Sequence, residues 1–335
     1  DFATPFHFFG AHRDAATANA ASPRPTHLPS LKNDFAVHDF AKICMKILVT
    51  IPHFHNPKGG GAYGSTGSES DRRAKALSKT IAGLHQNLGP RQAFLYCLHE
   101  PVPGRGNGRL LKVNNQAASG LDIAVCTVGD SHLINSLTVH RGLYHHQPVS
   151  ADPMKIGFAC QQILQAHLGK YDFYCYLEDD LLIEDSYFFQ KLEWFARTFG
   201  DETLLLPHRY ETSVNEPLHK LYIDGPVRPD FTAKWQDVSD RRELNSEYLG
   251  KPISFERWSN PHSGCFFLNA SQMERWAKSP IFQDGDCSFA GPLESAASLG
   301  IMKTFRIYKP SMADAGFFEI QHLHNRYLGE ALKTS

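Results

Sequence analysis

No stretch of this 335-residue chain is apolar for the roughly 18 to 20 residues that a bilayer-spanning helix requires, so a membrane-embedded protein has no support. Peripheral membrane contact stays open. Charge of one sign is also missing: 34 Lys and Arg stand against 35 Asp and Glu, a net charge of −1, so no overall field would hold the chain on nucleic acid. No CxxC pair occurs, which removes a structural zinc ribbon. The seven cysteines (Cys44, Cys97, Cys126, Cys160, Cys175, Cys265 and Cys287) are odd in number, scattered, and mostly set in apolar segments. They read as small buried thiols in a reducing compartment, so a cytoplasmic location is expected. No continuous apolar core followed by a small-residue cleavage site occurs in the first residues, so a secretory signal is not expected, while an organelle transit peptide stays open. What is there is a globular composition, 42% hydrophobic and 12% aromatic, with an excess of histidine at 18 residues.

Residues 1–44 are rich in Ala, Pro, His and Asn and carry the breakers Ser22-Pro23-Arg24-Pro25 and Leu28-Pro29. They are expected to be a poorly ordered, dispensable leader, with Met45 as a natural start. From Met45 the chain alternates strands and helices, which predicts an α/β fold. Met45–Ile51 is a β-branched run, Glu69–Leu88 an amphipathic helix with Ser68 and Asp71 as a capping signature, and Gln92–Leu98 and Leu121–Val128 read as buried strands. A helix follows Asp152-Pro153. Tyr171–Leu177 is an aromatic strand, followed by a helix with Phe188, Leu192, Phe195 and Phe199 on its buried face. Further strands are expected at 204–206, 264–268 and 303–308, and helices at 271–277 and 292–299.

The aromatic strand ends on three successive acids, Glu178-Asp179-Asp180. Ligands of open α/β sheets gather beyond the carboxyl ends of the strands, and three adjacent carboxylates repel unless a cation or a donor array compensates. Oxygen ligands suit Mg²⁺ or Mn²⁺, which commonly combine one or two protein carboxylates with substrate phosphates. A solvated acidic turn before a helix is the plain alternative.

Tyr176-Leu177-Glu178-Asp179-Asp180-Leu181-Leu182-Ile183 resembles the DxD-type motif of GT-A-fold glycosyltransferases, with Glu178 and Asp180 at the two acidic positions. The resemblance implies a GT-A-like, Rossmann-like mixed sheet with flanking helices over residues 45–330, divided into a nucleotide-sugar half (45–185) and an acceptor half (186–330). It implies a hexosyltransferase-type enzyme that moves a sugar from a nucleotide-diphosphate sugar to a carbohydrate or other hydroxyl acceptor. Asp180 would hold Mn²⁺ or Mg²⁺, and Glu178 and Asp179 would face the nucleotide sugar. The resemblance also implies a late histidine on the metal, for which His322 and His324 are the candidates, and a nucleotide contact from the loop after the first strand, where His53 lies.

Other candidates rest on the residues themselves. His322 and His324 are alternate residues of an extended segment and share a face. Asp130, just past a strand, can accept protons from a ribose or a base. Glu294 opens a helix beyond a loop and is the expected catalytic base, with Asp286 in reserve. Trp258, Asn260 and His262 combine a ring face with amide and imidazole donors, a chemistry that suits an acceptor sugar. Arg72 and Arg73 stand at a helix start within reach of phosphate. Gly59–Gly67 lacks the GK[ST] ending of a P-loop and reads as a mobile lid. Two other functions compete: a metal hydrolase gathering His53, His55, Asp180, His322 and His324, and a carbohydrate-binding module without turnover.

Overall fold

The computed structural model describes residues 45–57, 69–102, 106–114 and 117–334. The expected leader, the glycine-rich loop Gly59–Gly67 and Ser68 of the capping signature lie outside these residues. The first half of the chain runs β1 (Lys46–Pro52), α1 (Ser70–Asn87), β2 (Phe94–Val102), β3 (Gly106–Lys112), β4 (Gly120–Thr127), β5 (His145–Pro148), α2 (Ile156–Ala166), β6 (Phe173–Leu177) and β7 (Leu181–Leu182). It continues as α3 (Phe188–Phe199), β8 (Thr203–Leu205), β9 (His208–Thr212), β10 (Lys220–Tyr222), β11 (Glu243–Tyr248), β12 (Lys251–Glu256) and β13 (Cys265–Asn269). The last elements are α4 (Ala270–Ala277), α5 (Pro292–Met302), β14 (Arg306–Pro310), β15 (Glu319–His322) and α6 (Arg326–Thr334).

The fold is mixed α/β. Its central sheet has the order β13-β6-β1-β4-β5, in which β6, β1, β4 and β5 are parallel and β13 runs against β6. Strand period 2 explains the two cores. On one face Ile47, Val49, Ile51, Phe173, Cys175, Leu177, Cys265 and Phe267 pack under α1 and α3. On the other, Leu48, Tyr174, Tyr176, Phe266 and Leu268 pack under α2, α4 and α5. The sheet takes β13 from beyond residue 185, so both expected halves contribute strands to it.

Two smaller sheets, β10-β9-β15-β7 and β11-β12-β14-β8, are built from short strands, and β2 and β3 pair only with each other. This last pairing corrects one expectation: Gln92–Leu98 is not a buried strand, because Phe94, Leu95, Tyr96 and Leu98 are all exposed. The capping expectation is corrected too: Glu69 occupies the cap of α1 without a side-chain capping bond, and Asp71 remains as a first-turn acid favoured by the helix dipole.

Candidate functional site

Because β1, β4 and β6 are parallel, the chain leaves all three at the same edge of the sheet. His53 follows β1, Asp130 follows β4, and Glu178-Asp179-Asp180 follows β6. These loops are knitted together. The Leu133 N–H donates to His53 Nε2 at 3.0 Å, which leaves the proton on Nδ1, and Nδ1 donates to Asp179 Oδ2 at 2.6 Å. Arg73 Nη2, from the first turn of α1, donates to both oxygens of Asp179 at 3.1 and 2.9 Å. Asp179 and His53, both expected to face the nucleotide, therefore use their polar atoms to hold the acidic turn to α1 and to the loop after β4. The physical reason is burial: a carboxylate withdrawn from water needs charged or N–H partners, and these are the nearest.

Asp180 is differently placed. β7 pairs with β15 so that Leu181 lies opposite His322, and the Leu323 N–H donates to the Asp180 carbonyl at 2.8 Å. That register brings both His322 and His324 to one oxygen of the Asp180 carboxylate, with Nε2 atoms at 3.5 and 3.4 Å from Oδ2. The two imidazoles stack, with ring centroids 5.4 Å apart. His322 Nδ1 meets the fully buried Glu211 at 2.9 Å, and Glu211 in turn accepts from the Leu328 N–H in the first turn of α6 at 2.7 Å. Burial works against a charge on His322, but Asp180 and Glu211 lift its pKa to about 9. Burial would also raise the Asp180 carboxyl, and His322 and His324 instead hold it well below the usual carboxylate range. His324 is lowered by burial, and Arg72 donates to its Nδ1 at 2.5 Å. Asp180 Oδ1 and His324 Nε2 are buried without a hydrogen-bond partner.

Glu178 has other partners. Its backbone N–H donates to the Gly264 carbonyl at 3.0 Å, and its carboxylate lies against Gly264, where a Cβ would come within 2.5 Å of Oε2. Glycine is required there twice over, since φ is +64°. Arg209 Nη1 stands 3.6 Å from Glu178 Oε2, while its Nε and Nη2 are committed to Asp224 at 2.8 to 3.1 Å. The fully buried Lys309 completes this cluster, 3.5 Å from Asp224 and donating to the His262 carbonyl at 2.7 Å. Burial dominates at Glu178: despite Arg209, its pKa is pushed up to about 8, with Asp180 and Glu294 adding to the rise. Glu294 thus shares the electrostatic surroundings of Glu178.

The remaining candidates are scattered. Asp130 is exposed in a turn. The Trp258 ring meets the His208 ring edge-on at 4.8 Å, Asn260 bridges the Gly225 carbonyl and the His262 N–H, and His262 is buried with Nδ1 3.0 Å from Ser298. Asp286 is held by Lys303 at 2.8 Å. Arg209, Glu211, Asp224 and Lys309 were not anticipated. A signal for one of them was present: Lys309 follows Ile307 and Tyr308 in a β-prone run, where a cation must find an acid.

The donor set at Asp180 was tested against a divalent cation. One carboxylate and two imidazoles converge and two of their polar atoms are orphaned, but while Arg72 donates to His324 Nδ1 the proton of that ring sits on Nε2, so His324 can ligate only once Arg72 releases it; such mixed O and N donors suit Mn²⁺ better than Mg²⁺. Among the described residues no group of three or more His, Cys, Asp or Glu side chains forms a ready-made cage. A cation here would draw further ligands from a substrate, as phosphate-bound ions do.

No family model matches this chain, and no curated protein matches it. Among solved structures, the apo form of mouse xyloside xylosyltransferase 1 is a weak neighbour: it is 12% identical, over 84% of this chain and 78% of that one, with a TM-score of 0.27. A likeness this slight assigns neither fold family nor function. Among the described residues no helix is long and apolar enough to cross a membrane.

Proposed function

We propose that this chain is a glycosyltransferase that moves a sugar from a nucleotide-diphosphate donor to an acceptor hydroxyl, with Asp180, His322 and His324 holding a divalent cation. One observation carries the reading: these three side chains converge at the carboxyl edge of the parallel strands, with Asp180 Oδ1 and His324 Nε2 buried and unpartnered. When bound, the cation would neutralise charge on the diphosphate.

The protein's own groups have separable tasks. Arg73 and His53 fix Asp179, and so hold the turn that presents Asp180. Arg72, half-exposed at the start of α1 and touching His324, offers a guanidinium to phosphate. Glu178, whose carboxyl burial raises despite the nearby Arg209, offers a carboxyl that suits a sugar hydroxyl. Glu294 is the base proposed to take the proton of the acceptor hydroxyl. A Glu294→Gln protein with normal turnover would remove that assignment.

The competing hydrolase requires His53 as a ligand, yet both of its ring nitrogens are engaged. Calorimetry with UDP and with GDP, each with and without Mn²⁺, tests the proposal. The expected outcome is nucleotide binding that depends on Mn²⁺ and weakens at least about tenfold in Asp180→Asn, a change that removes one charge at nearly constant volume. Nucleotide affinity indifferent to Mn²⁺ and to this substitution would overturn it, and tight Zn²⁺ binding without nucleotide affinity would favour hydrolysis.

A further inference from the structure

The hairpin formed by β2 and β3 is the part of the molecule that the site does not use. Cross-strand pairing sets Phe94 opposite Lys112, Leu95 opposite Leu111, Tyr96 opposite Leu110 and Cys97 opposite Arg109. Paired residues point to the same side, so one face carries Phe94, Tyr96, Leu98 and Leu110, with exposures of 42, 54, 62 and 50%. The other face shows Leu95 at 53%. Large apolar side chains are thus in water on both faces of a two-stranded ribbon, whereas the other strands among the described residues lie in larger sheets. The two strands and the residues just before them carry the cations Arg91, Arg109 and Lys112 against the single acid Glu100, although the chain as a whole has a net charge of −1.

We propose that this hairpin docks the protein on an anionic lipid surface. A flat protein partner covers one face of a ribbon, whereas the interfacial region of a bilayer buries both faces at once. The cations supply the complementary charge for acidic headgroups, and they disfavour pairing with a second copy, which would bring like charges together.

Sedimentation of the full chain with vesicles tests this. Vesicles of phosphatidylcholine mixed with phosphatidylserine should pellet the protein, and added salt should release it. A cation near an acidic headgroup surface is worth about fivefold in partitioning, so Arg91→Glu combined with Lys112→Glu should reduce binding by more than about tenfold. Leu98→Asp should reduce it further. In case that variant is misfolded, Leu98→Trp supplies an independent readout: its added emission should shift to the blue with the mixed vesicles and stay unshifted with phosphatidylcholine alone. Equal binding to both vesicle types, an unshifted Leu98→Trp spectrum, or self-association in sedimentation velocity that Leu98→Asp abolishes would each overturn the proposal.

Discussion

Two strands of this protein are near-anagrams. β6 reads Phe173-Tyr174-Cys175-Tyr176-Leu177, and the start of β2 reads Phe94-Leu95-Tyr96-Cys97-Leu98. Every residue of the first is at most 4% exposed, while four of the five in the second are at least 42% exposed. Composition and β-propensity are the same, so neither decides burial. The neighbours do. β6 has β1 on one edge, β13 on the other and helices over both faces, whereas β2 has β3 alone. A strand becomes core when other parts of the chain cover it, and that covering is a property of long-range pairing rather than of the strand.

The contrast can be tested by cutting the same side chain in both places. Leu177→Ala should cost about 2 to 5 kcal/mol, because it opens a cavity in a packed interior. The measurement is the urea midpoint at constant m-value. A loss below about 1 kcal/mol would mean that β6 is not the core strand its burial indicates.

A second difference is pH. The covered part of the molecule includes histidines without water, and the hairpin's described side chains from Arg91 to Leu98 include none. His208 is buried beside Lys309 and donates from Nε2 to the Pro310 carbonyl at 2.7 Å, and burial first, then Lys309, lower its pKa from 6.5 to about 4. The unfolded chain takes up this proton before the folded one does. The contribution of His208 is therefore complete above pH 6.5 and is lost as the pH falls toward about 4, on the order of 2 kcal/mol by about pH 5. His208→Asn should flatten that part of the stability profile, and an unchanged profile would place the acid sensitivity elsewhere.

Backbone geometry gives the third test. Gly264→Ala should cost about 1 to 2 kcal/mol from its positive φ alone, and it should also displace the Glu178 carboxylate. A variant of unaltered thermal midpoint would show that the close approach of Gly264 to Glu178 is relaxed in solution. The smallest effect is expected in the hairpin. Leu98→Ala should change stability by less than about 0.5 kcal/mol, since the side chain is already in water.

Much of the central sheet was legible because its signals are local. The β-branched run of β1, the helical spacing of Phe188, Leu192 and Phe195, and the acids following an aromatic strand each announce themselves within a few residues. Glu178-Asp179-Asp180 at a strand end is such a signal, and so is the alternation that sets His322 and His324 on one face. What each acid does is not local. Asp179 turned inward because Arg73 and His53 reach it from two other elements, and Asp180 met the histidines because β7 pairs with β15 across more than a hundred residues.

The same holds for charge. A lysine at 309 beside Ile307 and Tyr308 could be read as costly, yet only the fold brings Asp224 and Arg209 beside it. By itself, then, the sequence determined where several strands and helices of the central sheet and its flanks lie, which of their faces are apolar, and that acids follow β6. The tertiary structure decided which apolar strand is covered, which carboxylate keeps unpartnered oxygen, and which carboxyl burial raises. The physical reason is that burial and ion pairing depend on distances between residues remote in the chain, and those distances exist only once the strands have paired.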